Sequence, residues 1–93
     1  MEAPSIRHDD SGHRFTTSVD GHDAFLEYQR EDGILAITHT VVPPEIGGRG
    51  IAARLVEAAL DHARAGHLKV LPRCDYAAAY LARHPEHADL VAS

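Results

Sequence analysis

The chain has 93 residues, enough for one compact domain and too few for two. Its 44% hydrophobic and 25% charged residues describe a globular protein, neither disordered nor fibrous. A formal charge of -5 at neutral pH argues against a nucleic-acid or anionic-membrane partner, which would need a basic face. It suits cationic partners such as amines, and equally it suits plain solubility.

Cys74 is the single cysteine, so no internal disulfide is expected and a reducing cytoplasm is the default location. No apolar run reaches the roughly 18 residues of a membrane span. The opening "MEAPSIRHDDSGHR" is polar, without a signal-peptide core, and residues 1–12 are expected to form a loose arm ahead of one domain over 13–93. Eight histidines are scattered along the chain, and only His84-Pro85-Glu86-His87 is closely spaced. Zinc sites bring a second ligand pair at a recognisable offset, and none is visible, so no metal is expected.

"RFTTSV", Arg14 to Val19, alternates with Phe15, Thr17 and Val19 on one face, which predicts a short strand. Asp20-Gly21 is a hairpin-turn dipeptide. "HDAFLEYQRE", His22 to Glu31, sets Ala24, Leu26 and Tyr28 against Phe25, Glu27 and Gln29, and Asp32-Gly33 repeats the turn. "ILAITHTVV", Ile34 to Val42, is β-branched and apolar on both sides, as a central strand is. These three strands make an antiparallel meander, which Pro43-Pro44 ends because proline cannot donate to a ladder.

From Gly50 the period becomes 3.6. Ile51, Leu55, Val56, Ala59, Leu60 and Ala63 take one side of a helix and Arg54, Glu57, Asp61 and Arg64 the other, with Gly66 as C-terminal cap. "HLKVLP", His67 to Pro72, predicts a fourth strand, set parallel to the third by the helical crossover. Asp75 is the expected N-cap of "YAAAYLARH", and "PEHADLV" closes the chain with a last amphipathic turn. The fold class is therefore α/β (α+β): a small, mostly antiparallel sheet of about four strands backed by two to three helices.

Gly47, Gly48 and Gly50 crowd the mouth of the long helix, where glycine costs roughly 1 kcal/mol relative to alanine. A helix start carries unpartnered N–H groups and about half a positive charge, and glycine lets phosphate oxygens reach the backbone. Gly47-Gly48-Arg49-Gly50 is thus a plausible diphosphate cradle, with Arg49 adding a cation; the alternative is a flexible connector. The Walker loop is excluded, since Gly50 is followed by Ile51-Ala52 instead of Lys-Ser/Thr. The dinucleotide fingerprint is excluded too, because a hairpin meander precedes the loop and the chain is too short for the remaining parallel strands.

The segment "AITHTVVPPEIGGRGIAARLVEAALDHA" resembles the acetyl-CoA-binding region of the GNAT superfamily of N-acetyltransferases. That family's Gln/Arg-x-x-Gly-x-Gly/Ala motif maps onto Gly47 to Ala52, matching at Gly50 and Ala52 and departing at Gly47, which removes one side-chain contact and leaves the backbone donors. "THTVVPPE", "VLPRCDY" and "HPEHADLV" are similar to a short branch of about 90 residues that lacks the N-terminal helices of longer members; the likeness covers Arg14 to Val91. The resemblance implies acetyl-CoA or CoA in a V-shaped gap between the third and fourth predicted strands. Thr40, Val41 and Val42 would align the pantetheine arm, and the amides of Gly47, Gly48, Arg49, Gly50, Ile51 and Ala52 would hold the diphosphate. The acceptor it implies is a small-molecule or peptide amine, with the protein a monomer or weak homodimer.

Acetyl transfer needs a deprotonated amine, a polarised carbonyl and an approach of about 3 to 3.5 Å. Cys74 falls between the fourth strand and the next helix, where the positive helix end favours a thiolate that could take the acetyl group transiently, while Asp75 beside it opposes a second negative charge. The short branch carries a cysteine at this place; the other reading is a small buried thiol. His39 shares a predicted strand face with Leu35, Ile37 and Val41, and is either a general base or a hydrogen-bonded core residue. Tyr76 and Tyr80, one turn apart, are core or pocket wall, or a proton source for the leaving thiolate. The leading function is an acetyl-CoA-dependent N-acetyltransferase, working by direct attack or through acetyl-Cys74. The alternatives are a CoA-binding module without turnover and a ligand-free interaction domain.

Overall fold

The computed structural model describes residues 5–92. Five strands form one sheet in the order β1-β2-β3-β4-β5: β1 (Arg7–Asp9), β2 (Arg14–Val19), β3 (His22–Glu31), β4 (Ile34–Val41) and β5 (Lys69–Pro72). The first four are antiparallel, and β5 runs parallel to β4. A 3-10 segment at Pro44–Ile46 precedes helix α1 (Ile51–Ala65), and another at Pro85–Leu90 follows helix α2 (Asp75–Arg83).

Both Asp-Gly turns form as the sequence predicts. Asp20 and Gly21 take φ of 51° and 78°, Asp32 and Gly33 of 52° and 76°, the two left-handed residues a twist-matched hairpin requires. The β4–β5 connection is the expected parallel crossover through α1. Val91 adds a single parallel bridge to Val70 on the far edge of β5, and Ala92 N–H donates to Val70 O at 2.8 Å.

One hydrophobic core lies between the sheet and the helices. Leu26, Leu35 and Ile37 from the sheet meet Leu55, Val56 and Leu60 of α1, and Ala77, Tyr80 and Leu81 bring α2 into the same cluster. Burying each of the large aliphatic side chains contributes about 1.5–3 kcal/mol. Every residue assigned to the apolar side of α1 is buried. Gly66 does follow α1, but with φ -91°; the left-handed residue is His67 at 57°.

Four expectations are corrected. Residues 1–12 are not all a loose arm: Arg7–Asp9 pairs with β2, while residues 1–4 lie outside the described residues. A three-residue strand with every position exposed has no periodicity to read. The third predicted strand stops at Val41, one residue early. The N-cap of α2 is Cys74, whose sulfur accepts the Ala77 N–H at 3.3 Å, and Asp75 is the first helical residue.

The fourth correction changes the site. Glu27 opposes His39 while Tyr28 opposes Ile37, so Thr38 is an extra residue in β4 and forms a β-bulge. The bulge inverts the alternation of side chains. Leu35 and Ile37 face the helices, but beyond Thr38 it is Thr40, opposite the buried Leu26, that does so. His39 therefore does not share a face with Leu35 and Ile37; it is exposed on the helix-free side of the sheet.

Candidate active site

The β4–β5 pairing runs from Ile34↔Lys69 to Ile37↔Pro72 and ends there. Pro72 has no N–H with which to extend a ladder. The chain then turns off: Arg73 N–H and Cys74 N–H both donate to Ile37 O, at 2.9 and 3.1 Å, and α2 begins. Strand β4 continues to Val41 with no β5 partner among the described residues. A fork opens between the strands, with Thr40 on one limb and Cys74 on the other.

The two side chains meet, with Thr40 Oγ1 3.4 Å from Cys74 Sγ. The thiol, partly buried against the core cluster, thus has a hydroxyl and the Ala77 N–H beside its sulfur, two groups suited to a developing thiolate. Val41 is 43% exposed on the continuing limb, an unusual position for a large aliphatic side chain. Val42, just past the strand, packs against the core.

At the outer end of β4 the 3-10 turn Pro44–Ile46 buries Ile46 and leads into the glycine loop. Gly48 and Gly50 have φ of 77° and 76°, and a Cβ built on either would meet nothing within 4 Å. The loop backbone is therefore bare as well as left-handed. Gly50 is the N-cap of α1 and has no side chain to cap it. Arg54 N–H is the donor to Gly50 O, so the N–H groups of Ile51, Ala52 and Ala53 have no acceptor within the helix. This is the combination of bare amides and helix end that an anionic phosphate fits.

The guanidinium of Arg49 is engaged with Asp20 of the β2–β3 turn, donating to Oδ2 at 2.6 Å. Both partners are about half exposed or more, so this pair is worth only about 0–1 kcal/mol. A cation that the sequence reading missed lies next to it. Arg54 lines a groove of about 520 Å³ with Arg49, Gly50 and Ile6, closed by Glu57 and Asp61 further along α1. The missed signal was its place one turn into the glycine-headed helix.

On the other face of the sheet, Gln29 and Thr38 line two adjoining hollows of about 370 and 290 Å³. The first runs past Ala36 and Leu71 to Arg73; the second holds His39 with His13 and Glu27. Glu27 is taken by Arg14, whose Nε and Nη2 donate to Oε2 at 2.9 and 2.6 Å, so it does not orient the His39 ring. The fold thus brings Cys74, Thr40 and the glycine loop to the helix side of the fork and His39 to the opposite side.

Tyr80 is buried in the core, with its ring stacked on His84 at 3.9 Å. Burial first, and the Glu57 carboxylate second, push its phenol up to about 12. Tyr76 is 40% exposed in the first turn of α2, close in sequence to Cys74, and burial raises its phenol as well. Among the described residues, no group of three His, Cys, Asp or Glu side chains is arranged to hold a metal ion, and no helix is long and apolar enough to cross a membrane.

Comparison with known proteins bears on this arrangement. A family profile described as GCN5-related N-acetyl-transferase matches residues 14–90. Protein NATD1 of Gallus gallus is 37% identical over 83 residues, covering 86% of this chain and 76% of that protein. Protein NATD1 of Homo sapiens is 37% identical over the same length, covering 74% of its sequence. A solution NMR structure of a GCN5-like protein from Staphylococcus aureus superposes with a TM-score of 0.77 at 26% identity, covering 100% of this chain and 92% of the other.

Proposed function

The chain belongs to the GCN5-related N-acetyltransferase family, and on that premise we propose that it transfers an acetyl group from acetyl-CoA to an amine at the fork between β4 and β5. The observation that carries this reading is the divergence of the two strands beyond Ile37 and Pro72, with a cysteine at the fork and a bare glycine loop at its outer end.

The residues divide the work by position. The amides of Gly48, Arg49 and Gly50 and the first N–H groups of α1 receive the diphosphate, and Arg49 and Arg54 add positive charge. Arg49 is free to contribute because its surface pair with Asp20 is weak. Gly47, Ile51 and Ala52 shape the same turn, Ile51 by burying its side chain beneath it. Thr40, Val41 and Val42 present backbone groups along the open limb of β4, which pair with the pantetheine amides and aim the thioester into the fork.

Acetyl-CoA supplies the activated acyl group. On the covalent route Cys74 Sγ would attack the carbonyl carbon, the bond from that carbon to the coenzyme sulfur would break, and the departing thiolate would take the proton that the Cys74 thiol gives up. The acceptor amine then attacks the acetyl-Cys74 carbonyl, the bond to Sγ breaks, and the thiol is restored. Thr40 Oγ1 and the Ala77 N–H are placed to stabilise Sγ whenever it carries charge. On the direct route the amine attacks the thioester itself, and Cys74 only caps α2. In either case we assign His39, exposed on the open face, as the acceptor of the amine proton, which requires the acceptor to arrive from the helix-free side.

Thiol release on mixing the protein with acetyl-CoA and a panel of alkyl amines and lysine peptides is the direct test, alongside calorimetric titration with coenzyme A. Binding together with amine-dependent thiol release supports the enzyme. Binding without release supports a CoA-holding module. No uptake of coenzyme A by the folded protein overturns both.

A further inference from the structure

Outside the fork, a cluster of aromatic and titratable side chains lies between the edge strand β1 and α1. The His8 ring stacks on Phe15 of β2, with centroids 4.3 Å apart and planes inclined by 7°. It meets His62 of α1 edge-on at 4.4 Å, and its Nε2 is hydrogen-bonded to the Tyr28 hydroxyl. Phe15 also packs against His62, at 5.8 Å, and Tyr28 stacks with His13 at 5.3 Å. These rings are the side-chain contacts that join a strand of three exposed residues to β2, β3 and α1. Its other ties include three register pairs to β2, the packing of Ile6 against the core, the Gly12 N–H donating to Asp9 Oδ1 at 3.0 Å, and a hydrogen bond from Thr17 Oγ1 to Ser5 O at 2.8 Å.

We propose that strand β1 is a proton-released latch, fastened to α1 through His8 and His62 and freed when His62 is protonated. The charged and titratable groups facing His62 are His8 of β1, Arg30 and Tyr28 of β3, and Asp10 of the β1–β2 turn. Burial, then His8 and Arg30, hold the His62 imidazole below its usual value of 6.5, and the Asp10 carboxylate opposes them only in part. The folded state therefore favours the neutral ring. The stabilisation this provides is present above pH 6.5 and is lost progressively as pH falls below it. Opening β1 hydrates the part-buried His62 further and costs little, because a three-residue edge strand buries little.

The latch has a reach beyond its own residues. Ile6, directly ahead of β1, forms one wall of the groove that holds Arg49 and Arg54 beside the glycine loop. Release of the strand withdraws that wall from beside Arg49 and Arg54. Mild acidity would thus act on the N-terminal edge and on the loop together.

Amide hydrogen exchange on the full chain, read residue by residue by NMR and corrected for intrinsic rates, tests the latch without any ligand. Between about pH 7.5 and about pH 5.5, protection in the Arg7–Asp9/Arg14–Thr16 ladder should fall at least twofold, while the β3–β4 ladder around Tyr28↔Ile37 keeps its protection. His62→Phe retains a ring in the stack and removes the proton site, so protection of β1 should become insensitive to pH. His62→Gln serves the same purpose should the bulkier ring disturb packing. Equal protection of the β1 ladder at both pH values in the wild type, or an undiminished fall in both variants, overturns the latch.

Discussion

Cys74 Sγ lies 3.4 Å from Thr40 Oγ1, a contact that ties the cap of α2 to the limb of β4 that has outrun its partner. One sulfur atom has two tasks there, since it also accepts the Ala77 N–H that opens α2. Substitution at this position tests the cap through stability and the proposed acetyl-cysteine route through turnover, two separate readouts.

Cys74→Ala removes the cap and should lower stability by about 0.5–1 kcal/mol, the low end for cap loss because sulfur is a weak acceptor. Cys74→Ser supplies a stronger acceptor and should hold the melting temperature at or above that of the wild type. Both variants lose any acetyl adduct at this position in intact-protein mass spectra. A drop in amine-dependent thiol release of tenfold or more in both supports the covalent route, whereas unchanged release in the serine variant assigns direct attack.

Gly48→Val and Gly50→Val each force a β-branched residue into the left-handed region, at a cost of about 1–2 kcal/mol per position. The new side chains also stand where phosphate oxygens would approach. Calorimetry should record at least a tenfold loss in coenzyme A affinity for either variant. Gly47→Ala is the control: its φ is -67° and the added methyl meets Pro44 O at 3.4 Å, so the fold should change little.

His39→Gln should leave the melting temperature within the range of an ordinary surface change, about 0.5 kcal/mol, because the side chain is exposed. Turnover with alkyl amines should fall, and the rise of rate with pH that reports its base should flatten. An unaltered pH–rate profile would retire His39 as the proton acceptor.

Tyr80 sets an alkaline limit. Its phenol is pushed from 10 up to about 12, so the fold prefers the neutral form. The stability this contributes is intact below pH 10 and is lost as pH rises through 10 toward about 12. Urea unfolding followed by circular dichroism across that window should show a decline that Tyr80→Phe reduces, the Tyr28 and Tyr76 phenols, also raised by burial, supplying the remainder, while ultraviolet titration should find Tyr80 among the last phenols to ionise.

Strands β2, β3 and β4 and helix α1 were legible in the sequence because each carries a regular hydrophobic period between chemically distinct ends, two of them Asp-Gly turns. The features that escaped depend on neighbours. Strand β1 is defined by the surfaces that His8 touches, not by any pattern of its own. The bulge at Thr38 comes from the pairing of β3 with β4, and it alone carries His39 away from the face that strict alternation assigns. Cys74 replaced Asp75 as the cap because a thiol can accept an N–H where a carboxylate is the habitual choice. The glycine loop could be located from composition, but its bareness could not, since that rests on the φ values of Gly48 and Gly50 and on the empty space around them.

The parallel join of β4 to β5 carries a consequence for how the molecule comes into being. The three hairpin-linked strands β2 to β4 make contacts between near neighbours in the chain, and such contacts form early. Ile37 and Pro72 meet only after the whole of α1 has closed the distance between them, the slower kind of event. A nascent chain can therefore possess its meander and still have no fork, so Cys74 gains its setting after the meander and not with it.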